Sequence, residues 1–180
     1  MTRSLLLCAL LALPALAGAQ TLDLGTHGKF SMSVPKDWTY SAQKMEGAGY
    51  AITLSAPGAA NAKCVLSLVY VETPEPLSRE RVQAEVLSAC DQFVDASLEK
   101  KKVLREFSVP GSYGVYCLFT DASMVGKPAA PDQFKVVALG EVHLSDEITM
   151  SASMLFDDEK GPEFQAMLGA ISSCSVSGAK

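Results

Sequence analysis

The sequence predicts an α+β domain with a mostly antiparallel sheet of six or seven strands and one helix on each face. Three observations predict this class. Several short runs of β-branched and aromatic residues are bounded by Pro, Gly and Asp, as strands usually are. Two longer segments carry one apolar stripe at helical spacing. Some of the predicted strands are apolar on both faces, which requires a covering layer on each side of the sheet.

The first three predicted strands lie before the first helix. Residues 30–34 alternate apolar and polar side chains, which predicts a half-buried strand that ends in a turn at Pro35. Residues 50–54 form the next strand and are followed by a Pro-Gly turn. Residues 64–71 are strongly β-prone and apolar on both faces, so we expect a central strand there.

The first helix is predicted from Ser78, a suitable N-cap, to about Lys100. Residues 103–109 and 113–120 then return to the strand pattern, with a Pro-Gly turn between them. The residues whose helical spacing predicts this helix are Val82, Val86, Cys90, Phe93, Ser97 and Leu98.

The last third of the chain contains a loop, a hairpin and a closing helix. The longest loop covers residues 123–131 and is rich in Gly, Pro and Ala. Residues 134–144 and 148–156 predict a hairpin, and Pro162 lies near the start of the final helix. The stripe of that helix is Phe164, Met167, Leu168, Ile171 and Cys174.

Residues 1–19 predict a cleaved secretory signal peptide. Arg3 gives a positive start, residues 5–16 are almost entirely apolar, and Ala17-Gly18-Ala19 supplies the small residues that signal peptidase needs. The apolar run is too short for a stable transmembrane anchor. The first mature residue would be Gln20 rather than cysteine, so we expect no lipid anchor.

Residues 20–180 are therefore expected to form a single exported domain in the periplasm, and secretion beyond the outer membrane is left open. The whole chain has 15 Lys and Arg against 20 Asp and Glu, a net charge of -5. The one cationic run, Lys100-Lys101-Lys102, is typical of a solvated helix end. This charge balance disfavours binding to nucleic acid or to an anionic membrane.

Four cysteines remain after the signal peptide, and an even number in an exported chain predicts two disulfides. None of them forms a C-x-x-C motif, which disfavours a thioredoxin-type centre or a zinc knuckle. We predict the bonds Cys64–Cys90 and Cys117–Cys174, each tying one helix to one strand. The pairing Cys64–Cys174 with Cys90–Cys117 is a viable alternative.

The opening Phe30-x-x-x-Val34-Pro35-x-x-Trp38 and the order of the later strands and helices resemble one known superfamily. It includes PsbP, the extrinsic photosystem II subunit, and the bacterial periplasmic DcrB-like proteins. The resemblance extends over nearly all of residues 20–180. It implies an α/β/α sandwich, a core position for Trp38 and a binding or accessory role. It brings no common catalytic motif.

Few residues suggest catalysis. Glu141 and His143 lie two residues apart in a predicted strand, so their side chains share one face. They could serve a small periplasmic hydrolase or a metal-dependent enzyme, but the sequence offers no evident third residue. The nucleophile elbow, the P-loop and the dinucleotide fingerprint are all missing from the sequence. We therefore assign no catalytic residue, no metal ligand and no cofactor.

The 123–131 loop is the better candidate for recognition. Met124 and Val125 place two apolar side chains, with Lys127 nearby, in a segment that ought to be solvated. The alternative is that Met124 and Val125 fold back onto the sheet. We expect an exported, non-enzymatic binding protein that acts through a protein partner in the cell envelope. An accessory subunit of an envelope complex and an inhibitor or immunity protein both fit. A small-ligand or lipid carrier with a pocket between sheet and helix is a further alternative.

Overall fold

The computed structural model describes residues 16–47, 49–58, 61–71 and 78–178, which contain ten strands and three α-helices. The helices are α1 (Arg79–Ala89), α2 (Asp91–Val94) and α3 (Pro162–Ser172). The strands are β1 (Leu16–Asp23), β2 (Lys29–Pro35), β3 (Thr39–Met45), β4 (Gly49–Ser55), β5 (Lys63–Tyr70), β6 (Arg105–Glu106), β7 (Tyr113–Thr120), β8 (Val136–Ser145), β9 (Ile148–Phe156) and β10 (Ser175–Ser177).

Seven of these strands form the main sheet, in the order β3-β4-β5-β9-β8-β7-β6. Every neighbouring pair is antiparallel. The predicted α+β class and the mostly antiparallel sheet are therefore confirmed. The predicted central strand is β5, which lies between β4 and β9.

A second, smaller sheet has the order β1-β2-β10 and was not predicted. The sequence does not predict this second sheet, for two reasons. β10 is only three residues long, too short to show a period. β1 extends across the predicted cleavage point after Ala19, where the sequence reads as a signal peptide followed by a turn. Residues 1–15 of that predicted signal lie outside the described residues.

The observed elements differ from the predicted ones in three further places. β3 was missed because its side chains are almost all exposed and polar, so the strand has no apolar alternation. The predicted strand over residues 103–109 is reduced to β6. The first helix starts where predicted, with Ser78 Oγ accepting a hydrogen bond from Arg81 N at 3.1 Å, but it is interrupted at Cys90.

The main sheet separates two hydrophobic cores, because successive side chains of each strand point to opposite faces. Tyr116 and Leu118 of β7 enter the larger core, which also receives α3 and Phe30 of β2. Val115 and Cys117 of the same strand enter the smaller core, under α1 and α2. The predicted helix on each face is thus confirmed. Trp38 packs against the larger core while remaining partly exposed.

The cysteines follow this division of the cores. Cys64 and Cys174 lie in the larger core, whereas Cys90 and Cys117 lie in the smaller one. All four are buried as free thiols. The pairing Cys64–Cys90 with Cys117–Cys174 is wrong for this fold, because each bond would have to cross the sheet. The alternation of side chains in β5 predicts which residues share a face with Cys64. It does not predict which helix covers that face.

Candidate functional site

The smaller core is covered by α1 and α2, which together follow β7 from its first residue to its end. Near the start of α1, Gln83 Nε2 donates a hydrogen bond to the Tyr113 hydroxyl at 2.8 Å. At the other end, the ring of Phe93 in α2 stacks on Phe119 with a centroid distance of 5.9 Å. Two features lie under this helix pair. An apolar pocket lies at the α2 end of β7, and two half-buried titratable side chains lie at the α1 end.

An apolar cavity of about 220 Å³ lies at the α2 end of β7; we call it the α2 pocket. It is smaller than the cavities of roughly 300–1,000 Å³ that hold drug-sized ligands. It exceeds a 150 Å³ cavity of the kind that accepts a benzene ring, so a single large apolar side chain fits. The apolar lining is formed by Phe93, Phe119, Phe134, Val136, Val137 and Leu155, and polar atoms come from Ser97, Thr120, Asp121 and Lys135.

Hydrogen bonds hold the wall of the α2 pocket in place. The segment after α2 runs beside the end of β7, with Leu98 N donating to Thr120 O at 2.9 Å. Glu99 accepts hydrogen bonds from both the backbone N and the hydroxyl of Thr120, each at 2.8 Å. Ser97 is 1% exposed, and its hydroxyl donates to Val94 O at 2.9 Å. These bonds satisfy the buried polar groups, so the pocket is a preformed feature of the fold.

The predicted recognition loop begins at the rim of this pocket. Asp121 lines the pocket and caps a short 3-10 turn, accepting a hydrogen bond from Ser123 N at 2.8 Å. The side chain of Ser123, then its backbone N–H and the nearby charge of Lys127, lower the pKa of Asp121. Met124 is half-buried, whereas Val125 is 57% exposed and Lys127 is exposed. Val125 thus does not fold back onto the sheet, and the loop presents an exposed apolar side chain four residues after Asp121.

Glu141 and His143 lie at the other end of the same sheet face. Their cross-strand neighbours in β7 are Val115 and Tyr113. Burial raises the pKa of Glu141 to about 7, and a hydrogen bond to Glu85 of α1 adds to the increase. The neighbouring carboxyl group of Glu85 thus adds to the cost that burial places on ionising Glu141. A carboxyl group that keeps its proton is less costly to bury under α1 than a carboxylate.

His143 has a different environment. Burial lowers the pKa of its imidazole, while Asp146, with Oδ1 3.8 Å from Nε2, acts in the opposite direction. The Nδ1 atom is buried and, within the described part of the chain, accepts and donates no hydrogen bond; the same holds for Oε1 of Glu141. Tyr113, opposite His143, is six residues along β7 from Phe119, a separation of about 20 Å in a strand. The Glu141–His143 pair is therefore separate from the α2 pocket.

Comparison with known proteins gives no matching family model and no matching curated protein. In the described ranges, no three His, Cys, Asp or Glu side chains are grouped so that they could hold a metal ion. None of the helices of the described residues is long and apolar enough to cross a membrane.

The sequence predicts the 123–131 loop as a candidate site, but it does not predict the α2 pocket. The lining comes from α2, from the turn that follows it, and from the ends of three strands, so no local pattern reports it. One signal was available: Phe119 and Phe134 bracket the loop on both sides, and two aromatic residues at the ends of a long loop indicate an apolar base beneath it.

Replacing Glu141 with glutamine should stabilise the domain at pH 8 and change little at pH 5. The folded carboxyl group keeps its proton up to about pH 7, whereas an unfolded glutamate loses it near pH 4.3. Between these values the folded state binds more protons, so the stability of the native protein falls as the pH rises. Above pH 7 the amide avoids this loss, and we expect a gain of about 1–2 kcal/mol.

Urea unfolding at pH 5 and pH 8 measures this effect. Glu106→Gln is the matched control, because Glu106 is exposed in β6. A gain for Glu141→Gln that is equally large at pH 5 and pH 8 would contradict the raised pKa of Glu141.

Proposed function

We propose that this protein is an exported, non-enzymatic binding protein that recognises a protein partner in the cell envelope. The partner would insert one apolar side chain into the α2 pocket and contact the 123–131 loop around it. The observation that carries this proposal is the apolar pocket together with the exposed Val125, which are joined by a short 3-10 turn that begins at Asp121 of the pocket lining and ends at Val125.

The size of the pocket supports a side chain as its occupant. Full burial of one Leu or Phe side chain contributes about 1.5–3 kcal/mol, which is the scale of an interface hot spot. Asp121 and Lys127 would lie at the rim, where charges affect register and encounter rate more than affinity. A lipid carrier needs a considerably larger cavity than about 220 Å³, so the volume favours a protein partner over a lipid.

The predicted signal peptide supports a site of action in the periplasm, and the resemblance to PsbP and DcrB-like proteins supports an accessory role. An inhibitor or immunity protein would use the same surface. The hydrolase alternative requires Glu141 to reach a substrate, but this carboxyl group is hydrogen-bonded to Glu85 beneath α1. This contact favours a structural role for Glu141.

Site-specific photo-crosslinking tests the proposal in cells. A photoreactive amino acid is placed at Val125 of the full chain, expressed in the periplasm of a Gram-negative host. Val103 is the matched control, since it is also an exposed valine, with 47% exposure against 57%. We expect one defined crosslinked protein from position 125 and none from position 103. Equal labelling from both positions, or none from position 125, would count against the loop as a recognition surface.

Substitutions in the loop should weaken the binding of the crosslinked partner without unfolding the domain. We expect Val125→Asp to lower the affinity by about 10- to 100-fold, because it places a charge on an apolar contact. Met124→Ala should have a similar effect, whereas Lys127→Ala should reduce it only a few-fold, mainly through the association rate. Binding is measured by calorimetry, and circular dichroism confirms that each variant is folded.

His143→Ala and Glu141→Ala are the controls for that series, and both should bind normally. If the loop variants bind normally instead, the recognition surface lies elsewhere, with the Gly25–Gly28 turn as the next region to test. If His143→Ala alone abolishes function in a folded protein, the hydrolase or metal-dependent alternative replaces the binding proposal.

A further inference from the structure

The four buried thiols lie in two pairs, one on each side of the main sheet, and none of them lines the α2 pocket. The first pair joins α1 to the strand beneath it. Cys90 is the residue that ends α1, and Cys117 is in the middle of β7. Both belong to the smaller core, and the two thiols are close enough to influence each other electrostatically. Both lie on the same side of the sheet, so a bond between them does not have to cross it.

The second pair joins the closing helix to β5. Cys64 lies between Leu54 of β4 and Met154 of β9 in the register of the sheet. Cys174 follows α3, where its sulfur is 3.5 Å from Ala170 O. Both residues belong to the larger core, and their exposures are 0% and 2%. Burial and then the proximity of Cys174 raise the pKa of Cys64, as expected of two thiols in one site.

We propose that the native protein contains the disulfides Cys64–Cys174 and Cys90–Cys117, one in each core, and that both form before the cores close. The oxidant is a disulfide-bearing protein or small molecule of the cell envelope. One cysteine thiolate attacks the oxidant disulfide and releases one oxidant thiolate. The second cysteine then attacks the mixed disulfide and releases the other. Each pair loses two protons and two electrons, and the oxidant disulfide is reduced to two thiol groups.

The order of events follows from burial. Thiol–disulfide exchange requires a thiolate that the oxidant can reach. In the folded domain all four cysteines are almost inaccessible, and burial raises the pKa of Cys90 and of Cys174 to about 12. A domain that folded in the reduced state would therefore resist oxidation, whereas the unfolded chain would react readily. The proposed bonds are thus made during export and folding.

Refolding of the full chain tests both the pairing and its timing. The protein is unfolded in urea with reductant and then refolded with or without oxidised glutathione. Proteolysis without reduction, followed by mass spectrometry, identifies the linked peptides. We expect Cys64–Cys174 and Cys90–Cys117 peptides when glutathione is present during refolding. Reduced protein that has already folded should remain reduced when the same oxidant is added afterwards.

The result has three independent readouts. The oxidised form should have a urea midpoint about 1–2 M above that of the reduced form. The double variant Cys90→Ala/Cys117→Ala should still form Cys64–Cys174 and lose only the other linkage. Protein isolated from the envelope is mapped directly, which does not depend on refolding. Peptides linked Cys64–Cys90 or Cys117–Cys174, or free thiols in the isolated protein, would overturn the proposal.

Discussion

Replacing Gly49 with alanine should lower the free energy of unfolding by about 3–5 kcal/mol. Gly49 begins β4 with φ at +127°, a conformation that residues with a Cβ rarely adopt. A Cβ at this position would overlap the carbonyl oxygen of Leu68 in the neighbouring β5 and lie 2.9 Å from its carbonyl carbon. These are backbone atoms held in the sheet, so they cannot move aside without breaking the pairing between β4 and β5.

Gly47→Ala is the matched control, since Gly47 also has a positive φ, +69°, but an added Cβ would meet open space. That change should cost only about 1 kcal/mol, the strain of a left-handed residue. The free energies of unfolding of the two variants are measured in urea. The difference between them gives the cost of the contact with Leu68 apart from the backbone strain. Equal losses would show that contact with Leu68 is not the cause.

Phe164→Ala should also destabilise the domain by about 3–5 kcal/mol, because it removes a large buried side chain and leaves a cavity. Phe164 is 2% exposed on α3 and stacks on Phe156 of β9 at a centroid distance of 4.4 Å. Its other side meets Tyr116 edge-on at 6.3 Å. The ring therefore fixes α3 to the sheet on the side of the larger core.

Phe93→Ala is the comparison for this substitution, because Phe93 is also a helical phenylalanine stacked on a strand phenylalanine. It is only half-buried and lines the α2 pocket, so we expect a loss of about 1–2 kcal/mol. Thermal unfolding followed by circular dichroism ranks the two variants. A greater loss for Phe93→Ala would mean that the smaller core dominates the stability.

The sequence predicts those elements whose side chains alternate between a core and solvent. β5 and α3 are found because Leu66 and Leu68 on the strand, and Phe164 and Met167 on the helix, repeat at the period of their element. β3 is not found, because its pairing with β4 rests on backbone hydrogen bonds and its side chains are polar. Strand order depends on contacts between distant segments, which a local period does not encode.

One part of the candidate site can be predicted from the sequence, and another part cannot. The exposure of Val125 is predictable, because an apolar side chain in a Gly- and Pro-rich loop has no local partner. The α2 pocket is not predictable, because Phe93, Phe134 and Leu155 come together only when the sheet has formed. The two cysteine pairs are not predictable from local patterns either, because they depend on which helix covers which face of the sheet.

The two helices that cover the main sheet are anchored unequally, and this sets an order in which backbone amides become accessible to exchange with solvent. α1 buries only Val82 and Val86, whereas α3 buries five of its residues. When the Cys90–Cys117 bond is reduced, local opening should therefore release α1 and α2 while β9 and α3 remain intact. Such opening would also disassemble the α2 pocket, since Phe93 forms part of its wall. A partner bound in the pocket would slow exchange in a helix that it hardly touches.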